Sequence, residues 1–138
     1  MAVTKLAPYK GSYLGGYAVR GRLATNVAIG IGATLTFDVD VSDLDNLTVL
    51  VQQSGAASGD ITVTVAAFEF DDATPFPLGL PPALSSGPTY DGSANVNYLA
   101  QFDARGTKTV RVSVKNNNAA AQTLKFVDAF GGFTGSNY

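Results

Sequence analysis

The densest group of side chains that could do chemistry is a set of four carboxylates, Asp38, Asp40, Asp43 and Asp45. Their spacing would suit a calcium site, because hard cations bind several oxygen ligands. However, Asp38 and Asp40 alternate with apolar residues, which places them on the outward face of a predicted strand. The segment also lacks the glycine and the distal glutamate of an EF-hand loop. We therefore expect a solvated strand and turn here.

A second carboxylate group, Glu69 with Asp71 or Asp72, has the residue types of a glycosidase acid and nucleophile, which stand ~5–9 Å apart. Acids at the end of a predicted strand are more typical of a turn. The chain contains no histidine and no cysteine. This excludes Ser-His-Asp and Cys-His nucleophiles, thiolate redox centres, and the usual ligands of zinc, copper and iron–sulfur clusters. We expect no enzymatic activity, no cofactor and no metal.

The composition indicates one globular domain with a weakly charged surface. Hydrophobic residues make up 46% of the 138 residues, and charged residues make up 14%, against about 25% in average proteins. So few charges suggest that neighbouring molecules cover much of the surface. The net charge of −2 predicts no general affinity for nucleic acid. The sequence shows neither a signal peptide nor a membrane helix, so we expect synthesis in the cytoplasm.

Period-two alternation of polar and apolar residues predicts strands through most of the chain. The clearest strands span 34–41, 47–51, 61–68 and 107–115, with a last one from 124; weaker candidates lie at 13–23 and 95–102. We predict an all-β antiparallel β-sandwich, with a jelly roll preferred over an Ig-like Greek key. The predicted core consists of Leu35, Phe37, Val39, Val49, Val51, Ile61, Val63, Val65, Val110, Val112, Val114 and Phe126.

Two segments depart from this pattern within the single predicted domain, 1–138. Residues 1–24 are predicted to form an extended N-terminal arm. Residues 71–92 hold five of the six prolines and are predicted to form a long loop, a feature that is usually functional in a compact domain. Proline stiffens such a segment and lowers the entropy lost when it docks on a partner.

The charges are segregated along the chain. Residues 1–33 carry only basic charges, residues 34–72 carry eight acids and no base, and residues 105–125 are again basic. One interpretation is that adjacent strands pair opposite charges within a sheet. The other is that a basic arm or face meets an acidic partner surface, which would give register and specificity.

From these features we predict a partner interface. Its cations lie in the basic N-terminal stretch, its apolar anchors lie in the proline-rich loop, and two aromatic residues lie in the glycine-rich C-terminal tail. The predicted interface residues are Lys5, Lys10, Arg20, Arg22, Phe76, Leu78, Leu80, Leu84, Phe133 and Tyr138.

The chain resembles the small β-sandwich cement or decoration proteins that lock the capsids of tailed phages. The resemblance lies in the basic Gly/Tyr-rich stretch from Lys5 to Arg22, the alternating strands at 34–70 and 107–127, and the loop at 71–92. It implies a non-catalytic dimer or trimer on the capsid exterior that bridges major capsid protein subunits. The segment from Val110 to Asn118 also resembles Ig-like adhesion modules, which leaves a carbohydrate- or receptor-binding module as the alternative.

Overall fold

Eleven strands make up the computed structural model, which describes residues 3–8, 17–42, 44–54, 60–68, 75–80, 82–90 and 95–133. The strands are β1 (Val3–Lys5), β2 (Ala7–Pro8), β3 (Tyr17–Ile29), β4 (Thr34–Asp40), β5 (Asn46–Ser54), β6 (Ile61–Phe68), β7 (Pro75–Leu80), β8 (Pro82–Tyr90), β9 (Val96–Asp103), β10 (Thr109–Asn116) and β11 (Gln122–Phe133).

The strands form a jelly roll. One sheet has the order β1-β4-β10-β6-β7, and the other has the order β2-β3-β11-β5-β9-β8. The pairs β3–β11, β4–β10, β5–β9 and β6–β7 are nested antiparallel pairs, as in a long hairpin that has been rolled up. This nesting confirms the predicted sandwich and distinguishes it from an Ig-like Greek key.

The core lies between the two sheets and follows the predicted alternation. Most of the predicted core residues are buried: Val39, Val49, Val51, Ile61, Val65, Val110, Val112 and Val114. Three others, Leu35, Phe37 and Val63, are partly buried and pack against this core. The second sheet completes the core with residues that include Val96, Phe102, Leu124 and Val127.

The prediction was wrong for Phe126, which lies on the outer face of its sheet beneath the Arg22 guanidinium. Leu124 and Val127 are both fully buried although they are three positions apart, an odd spacing that places residues of a regular strand on opposite faces. The extra residue is a β-bulge in β11 between Leu124 and Phe126, where the register against β5 shifts. A bulge reverses the facing of every residue that follows it.

The proline-rich segment is the second correction, because residues 75–80 and 82–90 form strands and not a long loop. Both strands are the outermost of their sheets. Proline cannot donate a ladder hydrogen bond, but an edge strand has one side that needs no donor. Prolines are therefore compatible with β7 and β8 and do not identify a loop here.

The described parts of the predicted N-terminal arm, residues 3–8 and 17–24, are also mostly strand. Residues 17–24 belong to β3, and the short strands β1 and β2 add one strand to each sheet. Between them Leu6 is 5% exposed and belongs to the core. The segment 3–8 is therefore an integral edge of the sandwich.

A buried asparagine network closes one end of the sandwich. The Asn116 side-chain nitrogen donates to the carbonyl oxygens of Gly30 and Ala120 at 3.1 and 3.0 Å. Its side-chain oxygen accepts from the Asn118 side chain at 2.8 Å, and Asn118 in turn donates to Gln53 at 3.1 Å. These bonds join the β3–β4 and β10–β11 connections to the end of β5.

Candidate partner interface

Two of the predicted interface cations, Arg20 and Arg22, lie on β3 at the outer face of the six-stranded sheet. The strand register places Arg22 beside Asp128 and Arg20 beside Phe130 of β11. Together with Gly21 these residues line a surface pocket of about 380 Å³. The pocket therefore combines two guanidinium groups, one carboxylate and one aromatic ring.

The Arg22 side chain is held in place by two contacts. Its Nε donates to Asp128 Oδ1 at 2.7 Å and its Nη2 donates to Asp128 Oδ2 at 3.0 Å. Its guanidinium carbon lies 4.9 Å from the centroid of the Phe126 ring, within the range of a cation–π contact. The hydrogen bond to Asp128 raises the pKa of Arg22, against the opposing effect of desolvation. The result is a preorganised planar group with donors facing solvent.

Apolar side chains continue this outer face away from the pocket. Leu50 of β5 lies beside Asp128, and Leu99 of β9 lies beside Leu50. Phe126, Phe130, Leu50 and Leu99 all point away from the core and are half-buried. An aromatic and aliphatic face with an arginine at its margin is typical of surfaces that bind another protein.

Lys5 does not join this pocket, because β1 belongs to the five-stranded sheet. Its register partner on β4 is Asp40. Burial of Asp40 acts to raise the pKa of its carboxyl, but hydrogen bonds from Ser42 and the charges of Lys5 and Lys108 outweigh it, so the net pKa is lowered. Lys10 and Tyr138 lie outside the described residues. Phe133 ends β11 opposite Tyr17, and its side chain is also outside the described part.

The apolar residues of the proline-rich segment are divided between two sheets. Phe76, Leu78 and Leu80 belong to β7, whereas Leu84 belongs to β8. These strands lie at the edge of the sandwich opposite to β1 and β2. At ~4.8 Å per strand, about 19 to 24 Å separates the two edges. The segment 3–8 and the strands β7 and β8 of the proline-rich segment therefore lie at opposite edges of the sandwich.

Asp128 and Phe130 complete the pocket and were not among the predicted interface residues. A signal for them was present, since Phe126, Asp128 and Phe130 alternate with the buried residues Val127 and Ala129. This alternation identifies the outward-facing residues only when it is counted from Val127 onwards, beyond the bulge.

The segregated charges are partly neutralised inside the protein. Arg111 of β10 makes a bidentate pair with Asp38 of β4, with Nε to Oδ1 at 2.8 Å. This pair joins a basic segment to an acidic one across adjacent strands. Asp38 is 3% exposed, so it is not on a solvated face as the alternation predicted, because Arg111 and the neighbouring β1 cover it.

The described residues contain no group of three or more His, Cys, Asp or Glu side chains that could hold a metal ion. Within the same residues, no helix is long and apolar enough to cross a membrane. Asp43 of the carboxylate group considered for calcium lies outside the described part of the chain. The carboxylates considered for glycosidase chemistry, Glu69, Asp71 and Asp72, lie outside it as well.

No protein-family model matches the chain, and no curated protein sequence matches it. Among solved structures, the fold is similar to VP2 of the infectious bursal disease virus subviral particle, with a TM-score of 0.53 and 13% identity. The match covers 89% of this chain and 34% of that one. This chain therefore spans about a third of the VP2 length.

Two other solved structures show weaker similarity. The SPBc2 prophage-derived protein YomS has a TM-score of 0.49 and 16% identity, with 88% of this chain and 98% of that chain covered. The xylan-binding module CBM15 has a TM-score of 0.43 and 15% identity, with coverages of 88% and 86%. The similarity to VP2 concerns the fold alone. The fold and the pocket define a jelly-roll protein with an aromatic, arginine-lined site on one outer face.

Proposed function

We propose that this protein is a non-enzymatic structural component of a virus particle, a cement or decoration protein on the capsid exterior. In this role it bridges neighbouring major capsid protein subunits and stabilises the shell. It acts as a dimer or trimer, is made in the host cytoplasm, and uses no cofactor, nucleic acid or membrane.

The observation that carries the proposal is the position of the predicted interface elements on the sandwich. The segment 3–8 and strands β7 and β8 occupy opposite edges, and the pocket of Arg20, Arg22, Asp128 and Phe130 lies on an outer face. A small rigid body with contact surfaces on several sides can touch more than one neighbour at once. Two weak contacts on one rigid body give a strong attachment, because the second contact forms at a high effective concentration.

Two further features support the proposal. The surface carries few charges, as expected of a protein whose surface is covered in an assembly. The fold is also similar to that of about a third of VP2 from the infectious bursal disease virus subviral particle. A shared fold does not establish a shared function. The main support for the proposed function is therefore the position of the predicted contact surfaces on the sandwich.

The test is attachment to shells assembled from a candidate major capsid protein. Wild-type protein should co-sediment with the shells and raise their melting temperature. Arg22→Ala should weaken attachment, because it removes the arginine that lies over Phe126 and borders the pocket. The matched control is Arg105→Ala, since Arg105 is also paired with an aspartate, Asp103, but lies in an exposed turn away from the pocket.

The outcomes separate the alternatives. Equal attachment of the Arg22→Ala and Arg105→Ala proteins would contradict a role of the pocket in binding the shell. Failure of wild-type protein to bind any candidate shell would contradict the cement function itself. Circular dichroism of each variant would establish that the sandwich remains folded.

A second candidate, a carbohydrate- or receptor-binding module, is favoured by the composition of the pocket. Phe130 offers a ring for a sugar face, and the Arg22–Asp128 pair offers donors and acceptors for hydroxyl groups. The test is binding to a glycan array. Binding by wild-type protein and by the Arg105→Ala variant, together with loss of binding in the Phe130→Ala variant, would favour this function. If wild-type protein binds no glycan, the carbohydrate-binding function is contradicted and the structural role is retained.

A further inference from the structure

The N-terminal segment 3–8 is attached to the sandwich in an unusual way. β1 pairs in parallel with β4 through Val3, Thr4 and Lys5, and β2 pairs antiparallel with β3 through Ala7 and Pro8. The β1–β4 pair is the one parallel pair among the described strands. One short peptide therefore crosses from one sheet to the other and closes the side of the sandwich where both sheets end.

Among the described side chains of this segment, Leu6 is the one apolar anchor. Leu6, at the crossing between the sheets, is 5% exposed and packs into the core. The space it occupies exists because residue 21 is glycine: a Cβ there would lie 2.9 Å from Leu6 Cδ2 and 3.8 Å from Thr4 Cγ2. On the outer side, the charge of Lys5 acts on its register partner Asp40.

All the groups that receive this segment belong to the rest of the chain. They are the backbone of β4 at residues 38–40, the backbone of β3 at Val19 and Arg20, the notch at Gly21 and the carboxylate of Asp40. An identical segment from another copy would make identical contacts. Exchange of such an element between copies is a low-cost route to an oligomer, because no new interface is needed.

Two further features make exchange feasible. Eight residues separate Pro8 from Tyr17, and a chain of that length can reach up to about 30 Å when extended. Among the described strands, none pairs with the outer side of β3 at residues 24–29 or of β4 at residues 34–37. Open strand edges are templates for association, so a second copy can approach the sandwich on this side.

We propose that residues 3–8 are an exchangeable strand, and that the segment of one copy occupies the Gly21 notch of a second copy in the assembled protein. Leu6 is the anchor and Lys5 opposite Asp40 sets the register. This linkage concerns copies of this chain only, so it does not depend on the proposed attachment to a capsid.

The chain has no cysteine, which allows a direct crosslinking test. Paired positions on neighbouring strands lie within the Cα separation that a disulfide spans. Protein with Lys5→Cys is unfolded and refolded together with protein carrying Asp40→Cys at high concentration, then oxidised. We expect a disulfide between residue 5 of one chain and residue 40 of the other, identified by mass spectrometry of the linked peptides.

Three controls define the outcomes. Thr34→Cys lies on the same strand and face as residue 40 but beyond the segment, and it should yield only background crosslinks with Lys5→Cys. Adding Leu6→Ser to the Lys5→Cys chain should lower the intermolecular product about tenfold, because burial of the leucine sustains the contact. In dilute solution the double variant Lys5→Cys/Asp40→Cys should crosslink within one chain.

The proposal is overturned if the 5–40 disulfide forms only within single chains at concentrations where the protein is oligomeric. It is also overturned if residue 34 crosslinks as efficiently as residue 40, or if the double variant forms no 5–40 disulfide in dilute solution. None of these results requires a shell, so they are independent of the attachment experiment.

Discussion

Arg111 donates to Asp38 through two parallel hydrogen bonds, with Nε to Oδ1 at 2.8 Å and Nη2 to Oδ2 at 3.1 Å. Asp38 is 3% exposed, whereas the Arg111 side chain is 28% exposed and lies over the Phe68 ring at 5.2 Å. The hydrogen bond to Asp38 raises the pKa of Arg111, against desolvation. The pair thus ties β4, β10 and β6 together on one outer face.

Because the Asp38 carboxylate is buried, Arg111→Gln should destabilise the folded protein. It leaves Asp38 without its cation, and we expect a loss of about 3 kcal/mol in the free energy of unfolding. Urea denaturation measures this loss. The exposed pair Arg105–Asp103 is the control, since Arg105→Gln should have little effect on stability. Equal effects of the two substitutions would show that the burial of Asp38 does not matter.

Asn116 should contribute more to stability than its neighbour Asn117. Asn116→Ala removes donors to the Gly30 and Ala120 carbonyls and the acceptor of Asn118. Buried groups left without partners cost about 1–3 kcal/mol. Asn117 is exposed and bonds Asp60 and Thr62 at the surface, so Asn117→Ala should cost less. Thermal unfolding of both variants measures which substitution lowers the stability more.

A side chain at residue 131 should not be accommodated. An added Cβ on Gly131 would collide with Leu44 Cδ1 and lie 3.1 Å from the Asn46 carbonyl oxygen. We expect Gly131→Ala to lower the free energy of unfolding by about 1–3 kcal/mol through overpacking. In Gly30→Ala the nearest atom, Ala33 Cβ, is at an ordinary 3.8 Å, and stability should change little. A neutral Gly131→Ala variant would contradict the close approach of Leu44.

Acid should weaken the protein by a small amount through Asp103, because solvent screens this exposed pair. Hydrogen bonds from the Arg105 side chain and backbone lower the pKa of Asp103 to about 2. A carboxyl whose pKa is lower in the folded state stabilises the fold above its unfolded pKa of ~3.9. That contribution is lost as the pH falls from about 4 to 2. Asp103→Asn should therefore show a shallower loss of stability over this interval.

The pKa itself gives an independent measurement. Titration of the Asp103 carboxyl by NMR should give a low value that rises towards the ordinary range in Arg105→Gln. A value unchanged by this substitution would assign the shift to another cause.

Val112 lies at the centre of the core and is fully buried, between Phe37 and Val65 in the register. Val112→Asp should abolish folding, because an unpaired buried carboxylate costs several kcal/mol. Ser113 faces the other side of the same strand, so Ser113→Asp should fold. Loss of the cooperative unfolding transition in the first variant alone is the expected result. A soluble Val112→Asp protein with an unchanged melting temperature would contradict the assigned facing of β10.

The alternation of residues was enough to predict the central strands. For β4, β6 and β10 the predicted and observed bounds agree within two residues, and Val110, Val112 and Val114 are buried as expected. This succeeds because the facing of a residue within a regular strand depends only on its position in that strand. The prediction failed for Phe126, where an extra residue reverses the phase and no local pattern marks the change.

Contacts between residues far apart in the sequence were decided by the tertiary structure. The nesting of β3 with β11 joins Tyr17 to Phe133, and the pocket exists only because this pairing brings Arg22 to Asp128. The prolines of β7 and β8 were compatible with a loop or an edge strand, and only the order of strands in the sheets distinguishes the two. The sequence by itself thus determined which residues are apolar and how they alternate. Which strands become neighbours was decided by the packing of both sheets around one core, since pairing energy depends on contacts that no local segment contains.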